Sequence, residues 1–203
     1  MKVKRYMLFL LLNLLLNAIQ SKNATHWADS IYNVLQEEKE KQVLISEPHT
    51  DTLLYIYQLH GEFCKSIDLL YISAEYYKIK SDYKKALSCA ILANQIIEKD
   101  KCKSPNIKPK LYYLFAKIFL SLKDIKKAKK YIDLGIQSWQ QSDLKKEILI
   151  RLYLLKGALS ENSKEELYFY TLAYGLSIES KDVKMEEISL HSMGSFYAVV
   201  TGK

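Results

Sequence analysis

The sequence predicts an all-α protein, a right-handed solenoid of helical hairpins, and three observations carry that expectation. Small residues recur inside apolar helical stripes at Ala74, Ala116, Gly157 and Gly194, at intervals of 42, 41 and 37 residues. A period of that size marks stacked units, none of which can bury its own apolar face alone. Only three prolines and six glycines interrupt 203 residues, and no sustained period-two alternation competes with the helical period. A chain of this length buries well over half of its unfolded surface on folding, enough for a real core.

The first 21 residues have a different character. Lys2, Lys4 and Arg5 precede the run Met7 to Leu16, broken only by Asn13 and closed by Asn17-Ala18-Ile19-Gln20-Ser21. Charged, apolar, then small and polar is the order of a secretory signal peptide. The apolar run falls short of the roughly 20 residues that span a bilayer. The expectation is therefore export with cleavage near Ser21, to a periplasmic or extracellular site; an uncleaved membrane anchor is the alternative. Removal of this segment leaves 27 Lys plus Arg against 23 Asp plus Glu, a mild excess in place of the full chain's +7.

Residues 22–203 read as one repeat domain whose first part, 22–65, is a degenerate hairpin. Trp27, Ile31, Val34 and Leu35 share one face of a helix from Trp27 to Ile45, which Pro48 ends. A second helix is expected from Asp51 to Cys64.

Clearer units follow from Ser66. Leu70, Ser73, Ala74 and Tyr77 occupy one face of a helix and Tyr83, Ala86, Ala90 and Ala93 one face of the next. The same arrangement returns as Tyr112, Phe115, Ala116 and Phe119, then Ile125, Ala128, Ile132 and Gly135. In the third unit Tyr153 and Gly157 keep the pattern while Lys156 and Ser160 break it, and Tyr168, Leu172 and Gly175 replace an Ala-rich helix. Leu190, Met193, Gly194 and Tyr197 open a fourth. Turns are expected at Lys80-Ser81-Asp82, Leu122-Lys123-Asp124 and Asn162-Ser163-Lys164, the last with Ser163 and Glu166 at capping-box spacing. Pro105 and Pro109 forbid a continuous helix between the first two clear units.

These stripes resemble the tetratricopeptide repeat, over Ser66 to Lys203, with a spacing longer than that family's 34 residues. Bulky, large-small and aromatic positions mark its first helix, and spaced small residues mark its second. The resemblance implies a non-enzymatic protein-binding module with a concave groove. Carried over by helical phase, it places Tyr71, Glu75 and Lys78, then Lys110, Tyr113 and Lys117, then Arg151 and Leu154, and finally His191 on that groove. Two tyrosines with Lys110, Lys117 and Arg151 suit an extended peptide of acidic character, aromatics supplying area and charges steering. The array also looks similar to the exported repeat regions of bacterial regulators and adaptors. With Lys203 one helix into the fourth unit, an adaptor, a shortened sensory part of a membrane-spanning regulator and an envelope assembly scaffold are the readings it suggests.

Other chemistries find little support. His26, His49, His60 and His191 lie far apart, without ligand spacing to thiols or carboxylates, so neither a metal nor a cofactor is expected. No nucleophile elbow or phosphate-cradling loop is present, and no enzymatic activity is expected. Eleven lysines face only Glu98, Asp100 and Asp124 between Glu98 and Lys130. That excess suits an anionic peptide, glycan or membrane surface, with peripheral membrane association among the expectations, whereas export and the lack of a reading motif disfavour nucleic acid. Cys64, Cys89 and Cys102 form neither a dense disulfide framework nor a metal site; a Cys64–Cys102 bridge fits an oxidising compartment, but spacing alone does not establish it.

Overall fold

The computed structural model describes residues 24–26, 28–33, 48–99, 102, 107–139 and 146–201. The expected signal segment lies outside them, as do Trp27, Val34 and Leu35 of the expected first helical face. Residues 24–26 and 28–33 are helical, and among the described residues eight helices follow: α1 (Pro48–Leu59), α2 (Phe63–Ile79), α3 (Tyr83–Glu98), α4 (Ile107–Ser121), α5 (Ile125–Trp139), α6 (Glu147–Ala158), α7 (Ser163–Ser180) and α8 (Val183–Thr201). Among the described residues there is no strand. The chain forms two compact units, Met1–Lys103 and Ser104–Lys203. Sequence neighbours pack in antiparallel pairs within each.

Pro48 begins α1, and the expected end of the helix before it lies outside the described residues. The proline's fixed φ and missing N–H are harmless in a first turn, where the donors have no intrahelical partner. The expected helix Asp51 to Cys64 divides: α1 ends at Leu59, and Phe63 and Cys64 start α2.

One turn geometry explains that division and repeats along the chain. Gly61, Ser81, Lys123 and Lys181 each adopt a left-handed backbone, with φ of 75°, 61°, 59° and 54°. The N–H groups of the residues that follow, Glu62, Asp82, Asp124 and Asp182, donate to the carbonyls of Tyr57, Tyr77, Phe119 and Ser177 at 2.8–3.0 Å. This is the Schellman closure, which satisfies carbonyls left open at a helix end. Each of the three aspartates then serves the next helix. Their carboxylates accept from the N–H of Lys85, Lys127 and Met185 at 3.0–3.1 Å, so one residue closes one helix and caps the next. The α6–α7 turn differs. Its cap is Asn162, whose side chain accepts from Lys164 N–H at 2.8 Å, and Ser163 is already helical, so the expected Ser163–Glu166 capping box is replaced by an Asn cap.

In the first unit, Ala24 and Ala28 pack with Leu53, Ile56 and Tyr57 of α1 and Leu69 and Ile72 of α2; Ile31 and Tyr32 border them. A polar clasp crosses this core. Lys65 Nζ reaches both oxygens of Asp29 at 2.8 and 3.0 Å, and the Tyr57 hydroxyl donates to Asp29 at 3.1 Å. Burial first, then the bond to Asp29, drives the Tyr57 phenol well above its ordinary range. Burial alone would raise the Asp29 carboxyl, but the bonds from Lys65 and Tyr57 prevail and hold it below the ordinary value. Between α2 and α3, Ala74, Ala86, Ala90 and Ala93 are fully buried, where missing side chains let two helices approach closely.

Antiparallel packing also sets the start of α2 beside the end of α3. Cys64 and Cys102 are joined by a disulfide there, with their Cα atoms 5.2 Å apart, and Cys89 on α3 takes no part in a disulfide. The bridge ties the segment just after α3 to the first turn of α2.

In the second unit α4 packs on α5 and α6, α5 on α6, α6 on α7 and α8, and α7 on α8. Tyr113, Ala116, Ile132 and Leu152 form one buried cluster, Ile150, Ala173 and Met185 another. Phe115 and Phe119 stack on Tyr131 with ring centres 4.6 and 5.4 Å away. Two of the periodic glycines mark tight crossings. A Cβ on Gly135 would stand 2.9 Å from Leu152 methyls, and one on Gly157 2.7 Å from the Tyr170 ring. At Gly194 a Cβ would meet nothing within 4 Å. The stripe that a following helix covers in earlier pairs therefore faces outward on α8, with Leu190 and Tyr197 each 47% exposed.

Candidate functional site

The residues expected on a groove divide between the two units. In the first, Tyr71 is buried on α2, 8% exposed, so its ring fills the core instead of offering contact area. Glu75 and Lys78, one turn apart on the same helix, form an ion pair at 2.6 Å with side chains 20% and 13% exposed. Their charges are largely spent on each other.

In the second unit Lys110, Tyr113 and Lys117 follow one another by single turns along one face of α4. Arg151 on α6 adjoins that face. Its guanidinium pairs with Glu147 at 2.8–2.9 Å and lies within electrostatic reach of Tyr113. Burial would lower the Arg151 pKa, but the bond to Glu147 and the contact with Tyr113 prevail and raise it. Arg151 is thus a fixed cation. Lys117 Nζ lies over the Tyr113 ring, 5.3 Å from its centre. Tyr113 itself is buried, at 9% exposure, so it organises the two cations more than it offers surface. Leu154, half-buried on α6, packs against the cluster of Ile150, Ala173 and Met185. His191 is exposed on α8 and borders a shallow depression with Glu187, Ile188 and Ser192.

The structure therefore brings Tyr113, Lys117 and Arg151 together and places Lys110 one turn away on the same helix. Tyr71, Glu75 and Lys78 belong to the other unit. The arrangement offers fixed positive charge and donors, suited to holding carboxylates, with no nucleophile paired to a base.

Sequence reasoning missed a second concavity. A cleft of about 220 Å³ opens between α5 and the α6–α7 turn, lined by residues that include Lys129, Asp133, Lys156 and Glu165. It explains why Lys156 departs from the repeat pattern. Its ammonium reaches Asp133 on α5 at 2.7 Å and lies 4.8 Å from the centre of the Phe169 ring on α7. The cleft is smaller than the roughly 300 Å³ at which ordinary ligand pockets begin, and its Lys156 and Lys129 are already paired with Asp133 and Glu161.

No protein-family model matches the chain, and no curated protein matches it. Among the described residues no helix is long and apolar enough to cross a membrane.

Proposed function

We propose that the protein is a non-enzymatic binding module, a tetratricopeptide-like array working outside the cytoplasm and holding an acidic peptide or protein segment. The observation that carries this reading is the meeting of Arg151 with Tyr113 on the lysine-bearing face of α4. First helices of successive pairs, α4 with α6 and α6 with α8, pack together, which supports a common face on which Lys110, Lys117 and Arg151 act jointly. The Cys64–Cys102 bridge supports an oxidising compartment, in keeping with the signal-like N-terminus.

The test is capture of partners from native envelope extract. Replacing Arg151 would strand Glu147, confusing binding with folding. Lys110→Ser with Lys117→Ser avoids this. The double variant should melt like the parent, because part-exposed lysines contribute little to stability. It should recover less partner and show a weaker dependence of recovery on salt. Equal recovery of the same partner by both proteins would remove the support for this face.

A further inference from the structure

A different surface of the second unit carries its own signal. Residues 121–130 hold five lysines and a single acid, Asp124. Asp124 is already engaged, pairing with Lys127 at 2.9 Å and capping α5. Lys129 is taken by Glu161 at 2.7 Å. Among the described residues, Lys123, Lys126 and Lys130 make no ion pair, Lys126 standing only within electrostatic reach of Asp124, and all three are exposed. Two aliphatic side chains stand among them. Leu122 and Ile125, on either side of the turn, are 45% and 42% exposed. Lys126 and Lys130 lie one turn apart on α5, away from its buried Ala128 and Ile132.

The backbone of this tip is closed on itself. Leu122, Lys123 and Asp124 donate to Ile118, Leu120 and Phe119, and Lys127 N–H goes to the Asp124 carboxylate. A turn so satisfied can enter a poorly hydrated interface without leaving bare donors, the main obstacle to irregular backbone at a membrane.

We propose that the α4–α5 turn is a docking tip for an anionic bilayer surface. Lys123, Lys126 and Lys130 contact negatively charged headgroups while Leu122 and Ile125 enter the boundary between headgroups and acyl chains. Charge complementarity selects the partner, and the aliphatic pair selects a bilayer over an acidic protein, which would use the lysines and leave Leu122 and Ile125 in water. Basic residues beside apolar ones are the usual composition of interfacial contacts. Each lysine at an anionic surface contributes roughly fivefold in affinity. This surface is separate from the one bearing Lys110 and Lys117.

A reporter confined to the tip provides the test, since the N-terminal apolar segment can bind lipid by itself. In the full chain, Trp27→Phe and Trp139→Phe remove both tryptophans and Leu122→Trp introduces one. Emission is then followed as vesicles are added, either phosphatidylcholine alone or phosphatidylcholine with phosphatidylglycerol. The expected result is a blue shift with the anionic vesicles alone, reversed by high salt. Adding Lys123→Ser, Lys126→Ser and Lys130→Ser should raise the lipid needed about a hundredfold, with the far-UV spectrum and melting unchanged. Lys108→Ser, Lys164→Ser and Lys184→Ser make the same change in net charge elsewhere on this unit and should have little effect. The proposal is overturned if the reporter ignores anionic vesicles, if the control triple weakens the response as much, or if polyglutamate shifts the emission where vesicles do not.

Discussion

Opening the Cys64–Cys102 bridge should destabilise the first unit selectively. The bridge closes a loop with a sequence separation of 38. In the chain-entropy treatment a loop of that size restricts the unfolded ensemble by about 4 kcal/mol at 25 °C. Both cysteines lie in the unit Met1–Lys103, so the loss belongs there. For a urea slope of about 2 kcal/mol/M, typical of a small domain, the unfolding midpoint of the first unit should fall by about 2 M in Cys64→Ser/Cys102→Ser. The two units can be followed separately, because the sequence has one tryptophan in each, Trp27 and Trp139. Trp139→Phe leaves a probe in the first and Trp27→Phe one in the second. Thiol titration of the denatured parent should find one reactive cysteine before reduction and three after, since Cys89 takes no part in a disulfide. Three thiols in protein prepared without reductant would show that the bridge does not form. A midpoint that moves equally with both probes, or with neither, would refute the assignment of its stabilisation to the first unit.

The glycines give a second expectation. Gly194→Ala and Gly175→Ala enter open space in helix interiors and should each stabilise by about 0.5–1 kcal/mol, whereas Gly157→Ala presses on the Tyr170 ring and the Glu166 carbonyl and should destabilise; melting of the three variants checks the order. A third expectation concerns acid. Asp29 has a lowered folded pKa, so its contribution is present above the unfolded value near 4 and is lost as pH falls through the folded one. Asp29→Asn should lower first-unit stability at neutral pH by a modest amount, both partners being partly exposed, and flatten its decline below pH 4. Parallel acid limbs for parent and variant would remove Asp29 from the account.

The helices were legible because their apolar stripes are long and periodic, and the small residues at Ala74, Ala86, Ala116 and Ala128 mark buried crossings. The α1–α2 boundary was not. A helix stop is usually read from glycine, yet Gly61 is the only glycine among the four left-handed turn residues; Ser81, Lys123 and Lys181 give no such warning. An aromatic followed five positions later by an acid, Tyr57 and Glu62, Tyr77 and Asp82, Phe119 and Asp124, was in the sequence and unused. The carbonyl of each aromatic receives the N–H of its acid, so the spacing measures one helix end and one turn, and it splits the expected helix Asp51 to Cys64.

The candidate site was legible only in its charges. Helical phase places Lys110, Tyr113 and Lys117 along α4, but burial of Tyr71 and Tyr113, the Glu75–Lys78 pair and the engagement of Arg151 by Glu147 depend on neighbours that sequence spacing does not specify. Lys156 shows the same limit from the other side. It breaks the apolar pattern of the repeat, and it is a long side chain serving as ion-pair partner and cation over a ring at once. Repeat patterns report the volume a position must fill. They do not report which long, charged side chains can fill that volume while their heads find partners across the helix pair, so the candidate surface diverges from the pattern first at its lysines and arginines.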